Sequence, residues 1–89
     1  MSNYLRRYSD AFKNDVKALK KHRELIERLQ YKIEEILKYP NHYKPLRYIL
    51  KNKHRIHVGS FVLIFEVLKK EKVVVFHSFK HHDIAYKNL

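Results

Sequence analysis

The sequence of 89 residues contains no cysteine, no tryptophan, one glycine and two prolines. Without cysteine, disulfide bonds and thiolate metal sites are excluded as sources of stability. No apolar run approaches the roughly 18 residues of a transmembrane helix, and the N-terminus lacks the apolar block of a secretory signal. Hydrophobic residues still make up 45% of the chain, which is too much for a disordered protein. The sequence therefore predicts one soluble, cytoplasmic domain over residues 1–89.

Acidic residues are also scarce. The chain has 20 Lys and Arg against 9 Asp and Glu, a formal net charge of +11. The stretch from Ile36 to Phe65 has no acidic residue, although it carries six lysines or arginines and three histidines. A surface that served solubility alone would intersperse both signs. The balance favours a polyanionic partner, which could be a nucleic acid, an anionic membrane or an acidic protein.

Hydrophobic periodicity predicts a short strand followed by two helices. Residues 3–8 form the predicted strand, and Ser9 is the predicted N-cap of the first helix. The apolar stripe turns by roughly 90° between the two helical segments, which is too much for one straight helix. We therefore predict a break at 20–23 and a helical hairpin. The hairpin ends at Pro40, because the proline ring interrupts the helical hydrogen-bond ladder.

Beyond this hairpin the hydrophobic period changes from about 3.6 to about 2, which predicts strands. Residues 55–58 alternate between polar and apolar, Gly59 lies in a predicted turn, and residues 61–67 and 73–79 are apolar enough for buried strands. The tail is predicted to end in a short helix or strand. The order βααβββ favours an α+β fold, in which two helices cover one face of a small, twisted, mainly antiparallel sheet whose last three strands form a meander. The opposite, concave face is then free and basic.

Three motifs resemble those of the RelE/ParE toxin superfamily of bacterial and archaeal toxin–antitoxin systems. The helical hairpin is followed by Pro40 and by the tripeptide KPL at 44–46. The stretch RIHVGSF at 55–61 is similar to the family pattern R-x-R-x-G-x-Y, and His81 with Tyr86 is similar to the terminal pattern G-H-R-x-x-x-Y. The resemblance covers essentially the whole chain and is closest to archaeal RelE-like mRNA interferases. It implies a RelE-like fold.

The resemblance also implies a function. It predicts an endoribonuclease that enters the ribosomal A site, cleaves the mRNA there without a metal or other cofactor, and so inhibits translation. It further predicts an acidic, RelB-like antitoxin that wraps the toxin, and no membrane partner. Other branches of the superfamily poison DNA gyrase and do not cleave RNA. A ParE-like inhibitor or a degenerate RNA-binding family member is therefore the alternative, and a generic nucleic-acid-binding module is a third.

Metal-independent cleavage sets the chemistry that the site residues must perform. The 2′-OH of the RNA attacks the adjacent phosphate, so the enzyme must accept one proton, donate another and offset the phosphorane charge. Arg55 is assigned to phosphate stabilisation and His57 to proton transfer or a phosphate contact, because both project from one strand face. His81, His82 and Tyr86 complete the predicted catalytic set from the terminal motif. As alternatives, His57 could be a simple exposed histidine and Tyr86 a packing residue.

Further cations are predicted to bind the RNA or the ribosome: Lys44, Arg47, Lys51, Lys53, Lys80 and Lys87. Tyr39, Tyr43 and Tyr48 interleave with this basic segment, a pattern that suits stacking on single-stranded RNA.

Two positions depart from the family pattern. Val62 stands where the central strand often has an arginine, and His82 stands where many relatives have one. Weak catalysis is therefore predicted.

A metal site is not predicted. His77 and His81 are four residues apart, which on a helix would present both imidazoles to one ion. Residues 73–79 are predicted to form a strand, however, so this spacing has no such meaning.

Overall fold

The computed structural model describes residues 4–42 and 53–85. The elements follow the predicted order. They are β1 (Leu5–Tyr8), α1 (Asp10–Ala18), α2 (Arg23–Lys38), a 3-10 turn (Pro40–His42), β2 (Lys53–Val58), β3 (Phe61–Leu68), β4 (Val73–His81) and α3 (His82–Ala85). Within the described part, no helix is both long and apolar enough to cross a membrane.

The strands form one sheet in the order β1-β4-β3-β2. β2 with β3 and β3 with β4 are antiparallel hairpins, which confirms the predicted meander. β1 runs parallel to β4, so the sheet is mixed rather than purely antiparallel. The parallel pairing requires a long crossover, because a tight turn cannot join parallel strands. Both long helices lie in that crossover.

Local signals at the ends of α1 and α2 explain the hairpin. Ser9 caps α1 as predicted, since its Oγ accepts a hydrogen bond from the Phe12 N–H at 3.0 Å. The same hydroxyl donates to the His77 carbonyl at 2.8 Å and so ties the start of α1 to β4. The predicted helix break is confirmed between Ala18 and Arg23, and α2 ends just before Pro40.

Replacing Ser9 with alanine should lower the free energy of unfolding by about 1–2 kcal/mol, because the helix cap and the bond to β4 are both lost. Urea denaturation measures this change. Ser60→Ala is the matched control, since Ser60 lies exposed in the β2–β3 turn, and it should change stability by less than about 0.5 kcal/mol. Equal losses in both variants would contradict the capping role.

The core lies between the helices and one sheet face. Its largest fully buried side chains are Phe65, Phe76, Phe79, Leu29, Ile36 and Leu63. The rings of Tyr8, Phe12 and Phe76 pack together with centroid separations of 5.2, 5.7 and 5.8 Å. This aromatic cluster joins β1, α1 and β4. The core therefore fixes one face of the sheet against the helices. The other face also holds buried residues, Val62 and Ile64, which form a separate small cluster.

The single glycine occupies the tight turn between β2 and β3. Gly59 has a φ of 61°, a left-handed conformation that residues with a side chain rarely adopt. The turn was predicted at this position. It sets the register in which Val58 lies opposite Phe61, and thereby the face on which each β2 side chain emerges.

Candidate functional site

The sheet face that points away from the helices is called here the open face. Residues directly opposite each other in antiparallel strands share a face, and they alternate with the core residues of the same strand. By this register the open face comprises Lys53, Arg55 and His57 of β2, Val62, Ile64 and Glu66 of β3, and Val75, Ser78 and Lys80 of β4. Four of the predicted site residues, Lys53, Arg55, His57 and Lys80, therefore share this surface.

Two cross-strand rows of the open face carry the two predicted catalytic residues of β2. In one row Val62 lies between His57 and Lys80. In the next, Ile64 lies between Arg55 and Ser78. Val62 and Ile64 are buried and form a small cluster separate from the main core, whereas Arg55 and His57 are exposed. Polar and basic side chains thus flank an apolar centre.

Val62 shows what the loss of the family arginine means. Its side chain is completely buried, so this position of the central strand contributes packing and no hydrogen-bond donor. A positive charge near this row must come from a neighbouring strand. Arg55, one row away on β2, is exposed and lies on the same face.

A cross-strand pair on the open face was not predicted from the sequence. The Nε2 of His77 lies 2.9 Å from Oε1 of Glu66, and both side chains are half-buried. The register shifts between Ile64 and Phe65, so that Phe65 lies opposite Phe76 and His77 has no direct partner residue on β3. This irregularity lets His77 reach Glu66. Hydrophobic alternation carries no signal for it.

Lys80 is tied to α1 rather than projecting freely. Its Nζ lies 2.5 Å from Oδ1 of Asp15, whose side chain is only 10% exposed. The other oxygen of Asp15 accepts a hydrogen bond from the Phe79 N–H at 2.9 Å. The charge of Lys80 is therefore compensated within the chain, although Lys80 remains at the edge of the open face.

The histidines of the terminal motif lie together at the end of β4. Their ring centroids are 4.4 Å apart. His81 was predicted just past the last strand, but β4 is two residues longer than predicted and His81 is its final residue. The extension arises because His81 pairs with Phe61, and their rings also pack edge to face at 5.6 Å. His82 begins α3, and its N–H donates to the Ser60 carbonyl at 2.9 Å.

The structure therefore brings the predicted catalytic residues together in two pairs. Arg55 and His57 lie on the open face. His81 is in the row of Val58 and Phe61, which packs against the helix-side core. Adjacent rows of a sheet face opposite sides, so His81 emerges on the face opposite to Arg55 and His57, while His82 already belongs to α3. Tyr86 lies outside the described residues, as do Lys44, Arg47, Lys51 and Lys87.

A groove between α1 and α2 forms a second surface feature. Its volume is about 360 Å³. Its lining is predominantly apolar and includes Phe12, Val16 and Ile26, while Lys13 and Lys17 also line it. This combination suits an amphipathic segment that presents apolar and acidic side chains. The groove lies on the helices, away from the open face.

Fold and surface together define a small α+β domain with a helix-backed sheet and a basic face. Residues 6–86 match the family model described as the ParE toxin of type II toxin–antitoxin systems, parDE. The chain therefore belongs to this family of toxins, and the predicted family membership is confirmed.

Individual relatives agree with this assignment. The chain is 42% identical over 72 residues to a Methanocaldococcus jannaschii protein with the provisional name toxin RelE4, covering 80% of this chain and 77% of the relative. The fold of the present chain is similar to a chain of the RelB–RelE antitoxin–toxin complex from Methanococcus jannaschii. The TM-score is 0.70 at 23% identity, and the match covers 93% of this chain and 98% of the other. The Escherichia coli DinJ–YafQ toxin–antitoxin complex gives a TM-score of 0.75 at 20% identity, with coverage of 96% and 99%.

Proposed function

We propose that this toxin is a cytoplasmic, ribosome-dependent endoribonuclease that cleaves mRNA in the A site. The observation that carries the proposal is the exposed pair of Arg55 and His57 on the open face, two residues apart in β2. A guanidinium and an imidazole on one strand face supply the charge and the proton transfer that phosphodiester cleavage needs.

The reaction requires one bond to form and one to break. The 2′-oxygen of the RNA attacks phosphorus as its proton leaves to a base, and the bond from phosphorus to the 5′-oxygen breaks as that oxygen gains a proton. The products are a 2′,3′-cyclic phosphate and a 5′-hydroxyl. His57 takes part in proton transfer, and Arg55 offsets the charge that develops on the phosphate oxygens. His81, His82 and Tyr86 are the proposed partners for the second proton.

Binding of the RNA backbone is the role proposed for the remaining cations. Lys53 and Lys80 lie on the open face, and Lys44, Arg47, Lys51 and Lys87 are proposed to extend this surface. The buried Val62 leaves the site without a central-strand cation, so we propose that intrinsic activity is weak. Positioning by the ribosome compensates, because holding the mRNA in a reactive geometry can lower the barrier by several kcal/mol.

An acidic, RelB-like antitoxin is the proposed protein partner. The net charge of +11 favours an acidic protein. The lysine-rimmed groove between α1 and α2 fits an amphipathic helix of that kind. Solved structures of similar fold are complexes of toxins with antitoxins. We propose that the antitoxin is disordered when free and folds as it wraps the toxin.

A non-catalytic inhibitor, such as a gyrase poison, is the second candidate. Two observations favour it: Val62 is buried where an arginine would reach the phosphate, and His81 faces the other side of β4 from His57. An inhibitor of this kind needs only the basic surface and no proton transfer. Its target would differ from that of the nuclease.

Programmed ribosomes separate the two candidates. We expect the purified toxin to cut mRNA within the A-site codon, seen by primer extension, and to leave the same mRNA intact when ribosomes are omitted. Intact mRNA on ribosomes, together with inhibition of DNA supercoiling by gyrase, would reject the nuclease and support the second candidate. Salt-sensitive binding to naked nucleic acid without either effect would reject both.

A further inference from the structure

Three metal-ligating side chains converge where β4 passes into α3. The ligand atoms of His81, His82 and Asp83 all lie within 4.8 Å of one another, and no other group of three His, Cys, Asp or Glu does so within residues 4–42 and 53–85. We infer that these residues bind a divalent transition-metal ion such as Zn²⁺. The same binding would regulate the proposed nuclease.

The change from strand to helix brings these side chains together. Successive residues of a strand point to opposite faces, whereas the chain enters a helical turn at His82 and no longer alternates. The carboxylate of Asp83 reaches both imidazoles. Its Oδ1 lies 2.9 Å from Nδ1 of His82, and its Oδ2 lies 3.6 Å from Nδ1 of His81. A carboxylate close to two imidazoles favours a cation at that point.

Contacts outside the group hold part of this arrangement in place. The ring of His81 packs edge-on against Phe61, and the backbone N–H of His82 donates a hydrogen bond to the Ser60 carbonyl.

Within the group, the Nδ1 of His81 accepts a long hydrogen bond of 3.3 Å from the Asp83 N–H. This nitrogen therefore has the lone pair that coordination requires. A metal ion would replace a weak hydrogen bond with a coordinate bond.

The donor set selects the class of ion. Imidazole nitrogen and carboxylate oxygen are ordinary Zn²⁺ ligands, with bonds of about 2.0–2.2 Å, and three protein ligands leave a position for water. Side-chain exposures of 39% for His81, 46% for His82 and 73% for Asp83 allow solvent to fill that position. Small side-chain rotations would bring the donors to bonding distance. Mg²⁺ and Ca²⁺ prefer oxygen ligands and should bind much more weakly.

Metal binding has a consequence for activity that rests on the proposed function. An imidazole nitrogen that coordinates a metal ion no longer exchanges a proton with RNA. His81 and His82 would both be withdrawn from proton transfer while the ion is bound. Zn²⁺ should therefore inhibit cleavage, and a chelator should restore it.

A zinc titration tests the site without any measurement of activity. Tag-free protein competes with a chromophoric chelator for Zn²⁺ at neutral pH, and we expect one ion per chain. His82→Gln and Asp83→Asn should each weaken binding by roughly tenfold or more. His22→Gln removes an exposed histidine next to α2 and is the matched control, with affinity equal to that of the parent. Unchanged affinity in the first two variants, or an equal loss in the control, would overturn the site.

NMR spectroscopy of the unsubstituted protein tests the site without substitutions, so a loss of binding caused by unfolding of a variant cannot mislead. In NMR spectra of the unsubstituted protein, the ring resonances of His81 and His82 should shift on addition of Zn²⁺. Those of His22 and of His77, which is paired with Glu66, should not. Shifts centred on His77 instead would overturn the assignment.

The cleavage assay then distinguishes this inference from the proposed function. Zn²⁺ should suppress cleavage by the parent roughly tenfold or more, because the bound ion withdraws both histidines from proton transfer. Cleavage by Asp83→Asn should be largely unaffected, because this variant binds Zn²⁺ weakly and its histidines remain available. Cleavage that persists at saturating Zn²⁺ would overturn the regulatory role. Absence of cleavage in metal-free protein would reject the nuclease proposal, whereas the titration would still decide the metal site.

Discussion

Replacing Arg55 with alanine should reduce A-site cleavage by roughly 10²–10³-fold, the range found when a group that stabilises transition-state charge is removed. Arg55 is exposed on the open face, so the substitution should leave the core intact. The effect should appear mainly in kcat, because the guanidinium acts most strongly on the charge that develops during phosphoryl transfer. Single-turnover cleavage on programmed ribosomes measures it, with growth arrest in cells that lack the antitoxin as a second readout.

Two further variants sharpen this test. Arg55→Lys keeps the charge but loses the planar fork of donors, and its rate should fall between the parent rate and that of the alanine variant. Arg23→Ala removes an exposed arginine from the start of α2, on the helix side of the sheet, and should cleave at the parent rate. A cleavage rate in Arg55→Ala that equals the parent rate would remove Arg55 from the site.

Replacing Phe76 with alanine should lower the free energy of unfolding by about 3–5 kcal/mol, as expected for a large aromatic side chain in a core. Phe76 is completely buried, and its ring packs against Phe12 and Phe65 at centroid separations of 5.8 and 6.1 Å. The cavity would lie where α1 meets β3 and β4. Since small domains are stable by only about 5–15 kcal/mol, this one change removes a large share of the total.

Urea denaturation followed by circular dichroism measures the loss. Tyr31→Ala is the matched control, because Tyr31 is an aromatic residue that is 74% exposed on α2. It should shift the free energy of unfolding by less than about 0.5 kcal/mol. A loss below about 1 kcal/mol in Phe76→Ala would mean that the core is not centred on this cluster.

Local chemistry allowed much of the fold to be predicted. Ser9, the rotation of the apolar stripe before Arg23, and Gly59 each act within a few residues, so their consequences were visible in the sequence. The parallel pairing of β1 with β4 and the register shift at Ile64 depend on residues far apart in the chain. Periodicity does not encode such pairings.

The candidate site was predictable to the same extent. Strand alternation placed Arg55 and His57 on one face, because two residues separate them within one strand. The position of His81 depended on where β4 ends. β4 extends two residues beyond the predicted end, so His81 is a strand residue with a defined face rather than a loop residue. The Glu66–His77 pair depended on the irregular register. Tertiary pairing, rather than local sequence, therefore decided which side chains meet.

The contact between Asp15 and β4 also bears on how the chain behaves alone. β1 pairs with β4 only as far as Phe76, so the outer border of β4 beyond that point has no strand beside it within the described residues. There the carboxylate of Asp15 accepts a hydrogen bond from the Phe79 N–H and forms an ion pair with Lys80. A strand from another molecule cannot add at a border whose donor is already taken and which carries fixed charges. α1 thus blocks the addition of a foreign strand along this part of β4.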